Sequence, residues 1–173
     1  MSVTVEEREY ARLLGYPWGT ELEGDVHDRA EQAREWYAVH GKPRVYCVPT
    51  EEFYSAAAIT AGREVDAEVE RLWREERVDE AYFLDRYAAG IVETLARSLG
   101  SYRSPGTGGM PFEEQFNLFA QIASLKPEIE ILSSGMLKPK NSLLALVTND
   151  VRRHANVCAG CDMPGCTFRR RSA

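Results

Sequence analysis

Histidine and cysteine are scarce in this 173-residue chain, with three and four copies respectively. No Ser-His-Asp arrangement, H-E-x-x-H pair or phosphate-loop pattern can be assembled from it, which removes the common hydrolase, zincin and nucleotide-loop classes. It also lacks any apolar run near the roughly 18 residues that a membrane span needs. The opening MSVTVEEREY has no basic-then-apolar signal pattern, so the expectation is a soluble, cytoplasmic protein. An excess of positive charge is missing too: the net charge is −6. The residues before Lys140 carry fifteen Lys/Arg against twenty-five acids. Such a body argues against nucleic acid as the main partner, and Arg169-Arg170-Arg171 reads most simply as a solvated tail.

What remains is ordinary for a globular domain, at 44% hydrophobic and 28% charged residues, and long enough to bury a core. Apolar spacing predicts helices over 4–14, 25–40, 65–76 and 79–99, most of them stopped by a glycine. Asp79 is the expected N-cap of the longest, with Tyr82, Leu84, Tyr87, Ala88, Ile91, Leu95 and Leu99 as its inner stripe. Trp73 is expected to face inward from the helix before it. Pro111 suits the start of another helix, whose expected face is Phe112, Phe116, Phe119, Ile122 and Leu125. Strands are expected at 44–48, 53–60, around Ile129 and Ile131, and at 142–148. The order lacks strict βαβ alternation and predicts an α+β fold with a twisted, largely antiparallel sheet flanked by helices. The division expected is a domain over 1–150 and a cysteine-rich tail over 151–173.

Two stretches carry chemistry. Cys158, Cys161 and Cys166 lie in CAGCDMPGC, where Gly and Pro would let three thiolates converge on zinc or a [4Fe–4S] cluster. His154 or Cys47 could fill a fourth position, or it could stay open; Cys47 otherwise reads as a small buried hydrophobe. The plain alternative is three reduced thiols in a surface turn. The spacing is not the C-x3-C-x2-C of radical enzymes. The second stretch is Tyr102-Arg103-Ser104-Pro105-Gly106-Thr107-Gly108-Gly109, between two predicted helices. Exposed amides in such a turn would suit a carboxylate; a mere connection is the alternative.

Taken together, SPGTGGMPFEEQ, SSGMLKPKNSLLALV and CAGCDMPGCTFR, with EYARLLGY and ITAG further upstream, resemble the activation (reactivation) domain of cobalamin-dependent methionine synthase. The likeness is to small stand-alone relatives that end in a cysteine cluster. It implies an S-adenosylmethionine-binding accessory module for reductive reactivation and remethylation of a cobalamin (corrinoid) partner, with no membrane or nucleic-acid role. Such a chain would be one part of a methyltransferase system, incomplete alone. By the same resemblance the ligand site would comprise Glu93, Tyr102, Arg103, Ser104, Gly106, Thr107 and Ser134. The family outline has Arg at the position of Tyr102 and Tyr at that of Thr107, while Ser104, Pro105 and Gly106 match. Those departures support a second reading, a metal- or cluster-stabilised scaffold that kept the fold and lost the methyl-donor site. Glu93 would pair with Arg103 or the ligand's ammonium group, or in the plainer reading form an i,i+4 pair with Arg97.

Overall fold

The computed structural model describes residues 3–51, 54–107 and 109–148. Five α-helices, α1 (Glu7–Leu13), α2 (Gly24–His40), α3 (Arg63–Arg74), α4 (Val78–Ser98) and α5 (Glu114–Ile122), surround a four-stranded sheet. Its strands are β1 (Arg44–Glu51), β2 (Tyr54–Thr60), β3 (Ser101–Arg103) and β6 (Ser142–Thr148), in the order β1-β2-β6-β3. Every neighbouring pair is antiparallel. A separate hairpin joins β4 (Glu130–Ile131) to β5 (Leu137–Lys138). The expected α+β fold with an antiparallel sheet and flanking helices is therefore present.

Alternation along the central strands sorts side chains to two faces. Ile59 and its register partner Leu143 join the larger core with α2, α3 and α4. Ala56, Ala58 and Leu144 point the other way, against Leu118 and Ile122 of α5. Ala56, Ala57 and Ala58 are completely buried. Their small side chains let a helix layer approach both faces of β2, which is why an alanine run serves here as a central strand rather than a helix.

The longest helix supplies most of the larger core. Ala81, Leu84, Tyr87, Ala88, Ile91 and Leu95 are each no more than 3% exposed, and burying a side chain such as Ile91 contributes about 1.5–3 kcal/mol. Three expectations are corrected around it. The N-cap position is Arg77, without a side-chain cap bond, so Asp79 lies within the first turn and complements the helix dipole. Tyr82 turns outward and its hydroxyl reaches Leu14 O at 3.3 Å. Trp73 is exposed as well, because α3 packs through Val65, Val69 and Leu72, and position 73 lies off that stripe.

The expected α5 face is corrected in part. Ile122 is buried and Phe119 packs against the same cluster, as expected, but Phe112, Phe116 and Leu125 are exposed, and Gln115 and Leu118 are buried beside Ile122 instead. Phe112 and Phe116 share helical spacing with Phe119, so periodicity favours them over Gln115 and Leu118. What reverses the choice is Gln115, whose side-chain amide donates to Gly135 O in the hairpin turn. A buried amide with a backbone partner is cheap to enclose.

The chain enters β6 through a polar latch. Asp85 Oδ1 accepts from Lys140 Nζ at 2.9 Å and Asn141 Nδ2 at 3.0 Å, and Arg86 Nη2 lies 2.5 Å from Oδ2. Burial pushes the Asp85 pKa up, but these bonds outweigh it and hold the carboxyl below its ordinary value. Asp66 Oδ2 accepts from the Lys140 backbone N–H at 2.7 Å. For Asp66 burial prevails, and its pKa is raised.

Candidate functional site

The segment Tyr102–Gly109 is not all turn, as expected from sequence: Ser101–Arg103 pair with β6. That pairing separates two neighbouring candidates. Tyr102 stands opposite Val147 and Arg103 opposite Leu146. Tyr102 packs with Ala57, Ala145 and Val147 on the α4 side, whereas Leu146 belongs to the cluster beneath α5. Arg103 therefore lies on the α5 face and Tyr102 on the other.

On the α4 side, Tyr102 Oη donates to Glu93 Oε2 at 2.5 Å. Arg97 Nε donates to Glu93 Oε1 at 2.8 Å, the plainer i,i+4 pairing, and Arg97 Nη1 lies 3.4 Å from Glu9 Oε1. The Glu93 side chain is only 17% exposed, so these bonds are less screened than a surface pair. Both carboxylate oxygens face protein donors, and neither donor is Arg103. The structure does not bring Glu93 and Tyr102 together with Ser104, Gly106, Thr107 and Ser134.

On the α5 face the loop carrying Ser104, Gly106 and Thr107 and the turn carrying Ser134 both lie against Phe112. Ser104 is buried, and its carbonyl accepts from Thr107 N at 3.0 Å and Thr107 Oγ1 at 2.7 Å. Gly106 N–H donates to Met110 O at 2.9 Å, and Met110 N–H to Thr107 O at 3.0 Å. Here the sequence expectation of exposed amides is corrected: the amides of Gly106, Thr107 and Met110 are spent inside the turn. With Gly106 at φ +80°, the loop turns back on itself so that these three amides meet its own carbonyls.

The hairpin turn lies alongside. Gly135 N–H donates to Leu132 O and Leu132 N–H to Met136 O, both at 2.8 Å. Ser134 is exposed, and its Oγ is 3.4 Å from Met136 N. Phe112 joins this turn to the loop. A Cβ placed on Gly135 would stand 2.5 Å from Phe112 Cε1, and one placed on Gly106 would stand 3.7 Å from Phe112 Cδ2. Phe112 and Gln115 are thus site residues that sequence reasoning missed. The polar Gln115 inside an otherwise apolar helix was the available signal.

Arg103 is exposed and has no ion-pair partner among the described residues. On this face of the sheet it is the group suited to a carboxylate-bearing ligand. Cys158, Cys161, Cys166 and His154 lie outside the described residues. Cys47 is exposed rather than buried, because β1 is an edge strand. Among the described residues, no three His, Cys, Asp or Glu side chains are placed to hold a metal ion.

No family model and no curated protein matches this sequence. A solved structure does: the crystal structure of the MetH reactivation domain bound to AdoHcy aligns with a TM-score of 0.67. The alignment covers 88% of this chain and 76% of that one, at 11% sequence identity. The chain has the fold of the MetH reactivation domain. At so low an identity the likeness establishes backbone architecture, and the site has to be argued from this chain's own side chains. Among the described residues, no helix is long and apolar enough to cross a membrane.

Proposed function

We propose that this chain is an accessory module for a corrinoid protein, taking S-adenosylmethionine on its α5 face and presenting it to a cobalamin held by the partner. One observation carries the reading. Loop 104–110, the start of α5 and hairpin turn 132–136 are the segments that resemble an activation domain, and they meet on one side of a sheet. The fold they share is that of a domain solved with AdoHcy.

Arg103 is the group we assign to the ligand carboxylate, with Thr107 and Ser134 assigned to the same ligand and Gly106 allowing close approach. Glu93 and Tyr102 serve as positioning residues. Their bond fixes the α4 side of β3, so Arg103 on the alternate position is kept on the α5 face. The ligand supplies a methyl group to the partner's cobalamin, and the electron needed for reactivation comes from an external reductant. Cys158, Cys161 and Cys166 are proposed to hold zinc or a [4Fe–4S] cluster, the latter able to relay that electron. The chain is one component of a cobalamin-dependent methyltransferase system and not a complete enzyme.

A specific observation favours the second reading, a scaffold that kept the fold without the methyl-donor site. The amides of Gly106, Thr107 and Met110 are already engaged, and Glu93 faces Arg97 and Tyr102. Passing a cobalamin-loaded corrinoid protein over the immobilised chain, with and without S-adenosylmethionine, separates the two. Retention that strengthens with S-adenosylmethionine supports the accessory role. Retention indifferent to it favours the scaffold, and no retention under either condition removes the corrinoid partner.

A further inference from the structure

Phe112 occupies an unusual seat for a large apolar side chain. It is 42% exposed, yet one edge of its ring presses on bare backbone at Gly135 and approaches Gly106. Both glycines have positive φ, +82° and +80°; a Cβ on Gly135 would enter the space the ring uses, while one on Gly106 would only touch the ring at 3.7 Å. Two side-chain-free backbone surfaces, from separate segments, thus border a slot in which a flat ring lies. Gln115 ties α5 to the same turn by donating to Gly135 O, and Arg103 lies on the same face of the sheet. Phe112 itself precedes α5, which begins at Glu114, so its ring can rotate into solvent without disturbing a helical hydrogen bond.

We propose that Phe112 is a built-in occupant of this slot, standing where the planar base of an adenosyl ligand would lie, and that the ring must swing out before the base can enter. The inference rests on the reading of the α5 face as an S-adenosyl site and adds the device that controls access to it. A ligand that binds only the ring-out state has its apparent affinity reduced by the fraction of molecules in that state. If the ring is out about one-tenth of the time, removing it tightens binding about tenfold.

The test titrates the full chain with S-adenosylhomocysteine, comparing the unaltered protein with Phe112→Ala and Phe112→Trp; position 112 is exposed, so neither change threatens folding. Phe112→Ala should bind about tenfold tighter, while Phe112→Trp, which keeps a flat ring in the slot, should bind no tighter than the unaltered chain. L-methionine, which has the carboxylate but no base, should gain nothing from Phe112→Ala. If the unaltered chain binds and Phe112→Ala binds equally or more weakly, the occupant role is overturned while the ligand site stands. An equal gain for L-methionine overturns the exchange of base for ring. If neither the unaltered chain nor Phe112→Ala binds, the site and its occupant fall together.

Discussion

The Tyr102 hydroxyl donates to Glu93 Oε2 at 2.5 Å, tying β3 to α4 on the side of the sheet opposite Arg103. Hydrogen bonds to charged groups are worth about 1.5–3 kcal/mol, and Arg97 still neutralises Glu93 when the tyrosine donor is lost. Tyr102→Phe should therefore cost about 1–2 kcal/mol in urea unfolding. A double-mutant cycle with Glu93→Gln should show coupling above about 0.5 kcal/mol. Strictly additive effects would mean that the bond contributes nothing of its own.

Acid stability should depend on Asp85. Its folded pKa lies below the ordinary 3.8, so its contribution is present above pH 3.8 and is lost as pH falls through the folded value. Asp66 acts in the opposite sense: its pKa is raised above 3.8, so its favourable contribution is complete below that pH and is lost as pH rises through the folded value. Removing the Asp85 charge isolates its share. Asp85→Asn should lose about 2 kcal/mol at pH 7, less than the 3–5 typical of a broken buried pair, because the Lys140 side chain is 64% exposed. Its stability should also fall less steeply than that of the unaltered chain between about pH 5 and 3. Parallel urea midpoints across that range would show that the latch does not titrate.

Packing at β2 and α5 gives a paired contrast. Ala57 is completely buried between the helix layers, so Ala57→Leu should destabilise by about 1–3 kcal/mol through overpacking. Phe116 is 42% exposed, and Phe116→Ser should stay within about 0.5 kcal/mol. Thermal unfolding of both variants checks this. A loss at Phe116 as large as that of a core phenylalanine would restore the face that α5 spacing alone suggests.

Much of this architecture was legible in the sequence, for reasons that differ by element. The long α4 stripe from Leu84 to Leu95 has enough turns for its 3.6-residue period to be unambiguous, and β6 is a short apolar run with polar residues on either side in the sequence. The α5 face was legible only in part: Ile122 and Phe119 follow the apolar spacing, but Gln115 is buried by a partner twenty residues away that local pattern cannot display. The division between Tyr102 and Arg103 was hidden as well. A glycine-rich stretch suggests a turn, and only pairing with Leu146 and Val147 shows that its first three residues are strand, with side chains on opposite faces. The loop's self-satisfied amides are likewise a matter of backbone geometry, which residue types such as Gly and Pro permit but do not fix.

Calorimetric titration of the full chain with S-adenosylmethionine, beside Arg103→Ala, addresses the ligand site most directly. A saturable heat is expected from the unaltered protein. The arginine variant should bind about 10- to 100-fold more weakly, the loss of a charge-assisted contact to the ligand carboxylate, with unchanged urea stability. Absence of binding by the unaltered chain, or equal affinity in Arg103→Ala, would contradict the assignment of the α5 face as the methyl-donor site.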